Sequence, residues 1–112
     1  MPDSIHMILE HMLDVAAFRN KVLTSNIANA DTPGYKAKDI SFQKEMEKAA
    51  GTEGNQGFDI YESATTMPNR DGNTVNVDIE MAKVAENNLI YDTAVQLMGM
   101  KQRMKKNILS AP

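Results

Sequence analysis

Two heptad-spaced runs, one at each end of the chain, carry most of its apolar residues. Near the start, Ile5, Ile8, Met12, Val15, Arg19, Val22 and Asn26 follow at alternating steps of three and four. Leu9, Leu13, Ala16, Asn20, Leu23, Ile27 and Ala30 form a second stripe beside the first. This is coiled-coil spacing, and two adjacent stripes make a face too wide for a single partner helix. Asp3 or Ser4 is a suitable N-cap, so the pattern predicts a helix over 4–29, about 39 Å long at ~1.5 Å per residue. The far end repeats the arrangement with Met81, Val84, Asn88, Tyr91, Val95 and Met98, beside Ile90, Ala94, Leu97, Lys101, Met104 and Ile108. Asp78 is the predicted N-cap there, with Glu80 in the first turn. Lys101, Arg103, Lys105 and Lys106 sit toward the end, where cations suit the helix dipole.

The backbone cannot continue the first helix through Asn26-Ile27-Ala28-Asn29-Ala30-Asp31-Thr32-Pro33-Gly34-Tyr35-Lys36. Pro33 lacks an amide hydrogen and pushes Thr32 toward an extended conformation. Gly34 tolerates the positive φ required at the third position of a type II turn, and Pro33 pre-sets the second. Asn29 and Asp31 are short polar residues able to bond the last backbone groups of the helix. Beyond this hinge, Ser41 is placed to cap a short helix through Ala50, with Phe42, Met46 and Ala49 on one face and Gly51 as its stop. A polar stretch over 51–57 follows. Phe58 and Ile60, then Val75, Val77 and Ile79, alternate with polar residues and predict two short strands. Pro68 and Asp71-Gly72 mark a turn between them.

The predicted fold is mainly α: two long terminal helices in an antiparallel coiled-coil-like hairpin, with a short helix and a small irregular or β insert between them. Its divisions are an N-terminal core helix (1–30), a hinge, short helix and insert (31–77), and a C-terminal core helix (78–112), all in one structural domain. Charge gives the direction. Both long helices are acidic early (Asp3, Glu10, Asp14; Asp78, Glu80, Glu86) and basic late, so antiparallel pairing sets acid beside base at both ends.

Composition narrows the function. In 112 residues only one modest core is possible, and aromatics are just 5% with no Trp, so the 42% of hydrophobic residues must act as thin aliphatic stripes. Nine Met suit either gap-filling or adaptable interfaces. A net charge of −3 gives no steering toward nucleic acid, and the absence of Cys removes thiolate chemistry. There is no apolar run near the ~18 residues of a membrane span, and a cleaved signal peptide is not expected. His6 and His11 are five apart and diverge around a helix, unlike the paired His of a zinc-binding helix. Neither a di-iron Glu-x-x-His set, a nucleophile elbow nor a completed calcium loop is present. No catalytic, cofactor or metal site is expected. Two helices with more apolar surface than either can cover point to a subunit completed by its neighbours, and a contact that does not close builds a helical assembly. From a different class, a cytosolic coiled-coil adapter or secretion chaperone would use the same stripes in a closed dimer.

A family resemblance adds to this. Arg19-x-x-x-Leu23-x-x-Asn26-Ile27-Ala28-Asn29-Ala30-Asp31-Thr32-Pro33-Gly34-Tyr35-Lys36-Ala37-x-Asp39-x-x-Phe42 closely resembles the N-terminal signature of bacterial flagellar rod and hook proteins. The Asp31-Thr32-Pro33 version is similar to that of the proximal rod. The segments Asp78-x-Glu80-Met81-Ala82 and Ala85-Glu86-Asn87-x-Leu89-x-Tyr91-x-x-Ala94-Val95-Gln96-Leu97 are similar to the last helix of such a protein. The resemblance covers about half the chain, at both ends. It implies a non-enzymatic subunit of the flagellar basal body, exported uncleaved through the flagellar type III apparatus and polymerised on the periplasmic side into the rod. Implied partners are other rod subunits such as FlgC, the rod adapter FliE, the export gate and the membrane ring. A FlgC-type rod protein is the alternative within the family, and its hinge is expected to lack Pro33. Ile8, Met12, Val15, Val22, Leu23, Ile27, Met81, Val84, Leu89, Tyr91, Val95, Leu97 and Met98 are the expected assembly core.

Overall fold

A computed structural model describes residues 4–50, 57–63 and 67–110. In these residues the chain runs α1 (Ser4–Ala28), β1 (Lys38–Ile40), α2 (Phe42–Ala50), β2 (Ile60–Glu62) and α3 (Val77–Ser110). α1 and α3 pack side by side in opposite directions. Asn26 meets Glu80 at one end of the pair, Arg19 meets Glu86, and Ala16 meets Asn87 further along. Carrying that register on to Ser4 leaves the last ~10 residues of α3 with no α1 beside them, and residues 102–110 are all exposed. The molecule is 69 Å long and 29 by 16 Å across.

The core is thin. Leu9, Val15, Ala16 and Leu23 of α1, Ala37 and Ile40 beyond the elbow, and Ala94 of α3 are its buried apolar residues. Leu9, Ala16 and Leu23 come from one predicted stripe of α1, while Val15, Arg19 and Asn26 come from the other. The buried face therefore lies between the two stripes and takes from both. β1 and β2 pair antiparallel, with Asp39 opposite Tyr61, and β1 packs against α1. Phe58, just before β2, stacks on Phe18 of α1 with ring centroids 4.7 Å apart.

The short helix forms as its sequence indicates. Ser41 Oγ accepts from the Lys44 amide at 3.2 Å, the N-cap bond that satisfies a free donor of the first turn. Its inward face includes Glu45, which is buried, while Ala49 is exposed. The expected stop at Gly51 and the polar stretch through 56 lie outside the described residues. The turn at 69–72 is present, with the Gly72 amide on the Asn69 carbonyl and Gly72 at φ +78°.

Three local expectations are corrected. Val75, Val77 and Ile79 do not form a strand, because Val77 already opens α3. Asn76 caps that helix: its Oδ1 accepts from the Ile79 amide and its carbonyl from the Glu80 amide. The cap thus lies two residues ahead of Asp78, and Asn at this position satisfies orphan donors that a strand would leave to a ladder. β2 pairs instead with Lys38–Ile40, a segment whose period was hidden by its charges. α3 also runs to Ser110, so Lys105 and Lys106 fall short of its last turn.

Candidate functional site: the elbow and its buried polar network

α1 stops where the turn chemistry requires. The Asn29 amide bonds the carbonyls of Ser25 and Asn26, and Asn29 Nδ2 bonds the Ser25 carbonyl at 2.8 Å. The Tyr35 amide then reaches the Thr32 carbonyl at 3.2 Å across Pro33 and Gly34. With Gly34 at φ +74° this is a type II turn. Nothing lies within 4 Å of a Cβ built on Gly34. A side chain there meets strain rather than a clash, so Gly34→Val is expected to cost about 1–2 kcal/mol. Gly34→Asn, which tolerates the left-handed region, should cost much less. Urea denaturation of the two variants against the parent, under conditions where the chain is helical, checks this, and equal losses would contradict it.

The second loop locks the turn in place. The Gly34 amide donates to the Asp71 carbonyl at 2.7 Å, and Lys36 Nζ to the Gly72 carbonyl at 2.6 Å. Asn73 is buried and donates through Nδ2 to the carbonyls of both Asn29 and Thr32. The Thr74 amide bonds the Tyr35 carbonyl, while Thr74 Oγ1 accepts from the Ala37 amide. The exit of α1 and the approach to α3 are thereby tied along their length.

Beneath the turn lies a polar network in the seam between the long helices. Asn26 is fully buried and uses its whole hydrogen-bonding capacity. Its Nδ2 donates to the Lys38 carbonyl (2.7 Å) and to Glu80 Oε2 (2.9 Å). Its Oδ1 accepts from the Lys38 amide (3.0 Å) and the Tyr35 hydroxyl (3.2 Å). About two turns earlier on α1, Arg19 makes a two-pronged pair with Asp39 of β1, Nε to Oδ1 at 2.9 Å and Nη2 to Oδ2 at 3.2 Å. Burial works against the guanidinium charge, but the hydrogen bond and charge of Asp39, with Glu86 adding to both, hold the Arg19 pKa above its ordinary value. Lys83 of α3 bridges the two halves, 3.7 Å from Asp39 and 3.8 Å from Glu80.

A third acid, beside Asp39 and Glu80, is buried in α2. Glu45 accepts from Lys48 and from the Asp59 amide, pinning the segment before β2. His11 of α1 lies 3.1 Å from the Glu45 carbonyl. These ionic groups are spent on one another and on the backbone, and no cluster of three or more His, Cys, Asp or Glu able to hold a metal ion occurs among the described residues. What the arrangement does is fix one geometry for three elements.

Of the hinge residues, Asn26 is buried; Ile27, Asn29, Ala30, Tyr35 and Lys36 are half-buried; Ala28, Asp31, Thr32, Pro33 and Gly34 are exposed. Among the expected assembly residues, Val15 and Leu23 are buried in the single chain and Met12, Val22, Ile27, Val84 and Met98 half-buried. Ile8, Met81, Leu89, Tyr91, Val95 and Leu97 are exposed. The partnership of Arg19 with Asp39, and the roles of Glu80, Lys83, Asn73 and Asn87, were missed. The available signal was Arg19 and Asn26 standing at core positions of an apolar stripe, where a buried polar residue needs a partner elsewhere in the chain.

A family model described as flagella basal body rod protein matches residues 16–36, the second half of α1 and the elbow. The network accounts for that stretch, since Arg19, Leu23 and Asn26 face the seam and 29–35 form the turn. The chain is 34% identical to the flagellar basal body rod protein FlgB of Bacillus subtilis (strain 168), over 91% of this chain and 90% of that protein. It is 32% identical to FlgB of Salmonella typhimurium over 89% and 88% of the two chains, and 41% identical to FlgB of Cereibacter sphaeroides over 74% and 76%. Hairpin, elbow and matched stretch thus define a structural, non-enzymatic protein of the flagellar rod class. Within that class, the chain belongs to the FlgB family of flagellar basal body rod proteins.

Proposed function

We propose that the chain polymerises through its terminal helices into the proximal rod, the torque-transmitting shaft of the flagellar basal body. The observation that carries this is the apolar surface left uncovered on both long helices. Ile5, Met7 and Ile8 of α1 are each more than half exposed, and so are Met81, Leu89, Met104, Ile108 and Leu109 of α3. A chain of this size does not leave so many large apolar side chains in water unless neighbours cover them. The segments 1–30 and 78–112 then supply the inner core, and 31–77 is the part that reaches outward to adjacent subunits. Neighbours at the rod base are other rod proteins of the FlgC type, the adapter FliE, the export gate and the membrane ring. The subunit reaches the periplasmic side through the flagellar type III apparatus. No helix of the described residues is long and apolar enough to cross a membrane.

Helices of this length draw most of their stability from burial rather than intrinsic propensity. The isolated chain at low concentration is therefore expected to show much less helix by circular dichroism than the assembled state, with size-exclusion tracking the change. A highly helical, cooperatively melting species that stops at a closed dimer would favour the adapter or chaperone class instead.

A further inference from the structure

The seam between α1 and α3 is filled by the less apolar of two available faces. Positions 80, 87 and 94, one heptad apart, hold Glu80, Asn87 and Ala94, and each is at most 1% exposed. One residue further on, Met81, Asn88 and Val95 continue the apolar stripe, yet Met81 is 59% and Val95 46% exposed. Turning α3 by one residue step, about 100°, would exchange Glu80 for Met81 and Ala94 for Val95 against α1. Burial of apolar area alone favours that exchange.

Directional bonds oppose it. Asn87 Nδ2 donates to the Ala16 carbonyl in the middle of α1 at 2.7 Å, a contact between groups 71 residues apart. Asn87 Oδ1 is enclosed and has no donor among the described residues. An amide held at a core position with its oxygen unpaired is a poor choice for stability alone. Polar residues at such positions are best attested as devices that choose one packing among several. Glu80, bonded to Asn26, makes the matching contact at the elbow end.

We propose that Asn87 is a positioning residue that sets the roll of α3, holding the Met81–Val95 face outward for the next subunit. This rests on the assembly through terminal helices proposed above. It adds that the outward apolar face is kept there by a polar key rather than left over from packing.

The roll can be read directly, because the chain has no Cys. The register that sets Ala16 opposite Asn87 sets Leu9 opposite Ala94, one heptad along. Cysteine pairs 9/94 and 9/95, introduced separately into the full chain under conditions where it is helical, report the two rolls by disulfide yield. In the parent sequence 9/94 is expected to dominate. In Asn87→Ala the 9/94 to 9/95 ratio should fall several-fold with helix content retained, and in Asn87→Ala with Asn88→Leu it should invert. The Asn87 variants without the reporter cysteines, returned to the bacterium, should swim poorly or not at all. An unchanged ratio in both variants, normal swimming of the double variant, or loss of helix in Asn87→Ala would each overturn the proposal. The ratio is read on the chain itself and stands apart from the assembly reading, which fails separately if cells lacking the gene still swim.

Discussion

Arg19→Ala is expected to destabilise the chain by about 3–5 kcal/mol, the usual cost of removing one partner from a buried ion pair. Asp39 is 3% exposed, and its remaining contacts would be the Ile40 amide and a longer approach from Lys83. A carboxylate in that position strains the β1–β2 hairpin away from α1. Urea denaturation followed by circular dichroism, under conditions where the parent chain is helical, gives the loss, and the double variant Arg19→Ala with Asp39→Ala should recover part of it. A single-variant loss below ~1 kcal/mol would mean that water reaches Asp39, and the pair would then be an ordinary surface contact.

Asn26→Ala is the other large effect, expected at about 2–4 kcal/mol from four hydrogen bonds at roughly 0.5–1.5 kcal/mol each, not fully additive. It leaves the Lys38 amide and carbonyl unpaired at the start of β1 and frees Glu80 from its partner on α1. Asn26→Asp is a sharper probe. It keeps the acceptor for Lys38 and Tyr35 but sets oxygen against the Glu80 carboxylate and the Lys38 carbonyl where Nδ2 donated. It should therefore be at least as damaging as Ala, although it changes one atom. If Asn26→Asp were tolerated while Asn26→Ala was not, the Nδ2 bonds would not be what holds the elbow.

These residues also show how far the sequence could be read. The long helices were visible because their apolar residues recur at three and four, and the turn because Pro33 fixes its own φ and Gly34 tolerates the positive φ that must follow. Antiparallel pairing followed from the charge gradient, and the Arg19–Glu86 contact across the helices is one product of it. The face that α3 buries was not legible. Periodicity selects the most apolar stripe, whereas Glu80 and Asn87 face inward because of bonds to Asn26 and to Ala16, far away in sequence. The same holds for β1. Lys38 and Asp39 read as surface residues until Asp39 finds Arg19 and the Lys38 backbone finds Asn26. At the elbow, the stretch 26–36 announced a turn but not its second strand of support, since Asn73 and Gly72 reach it from a separate loop. The elbow is thus more than a helix exit: it is the point where three segments are bonded into one rigid corner.

Whether this chain builds rod is decided by deleting its gene from the bacterium that carries it, then imaging purified basal bodies alongside a swimming assay. The expected result is non-motile cells whose basal bodies lack an assembled rod, restored by the parent gene and not by Asn26→Asp. Motile cells with intact rods would contradict it.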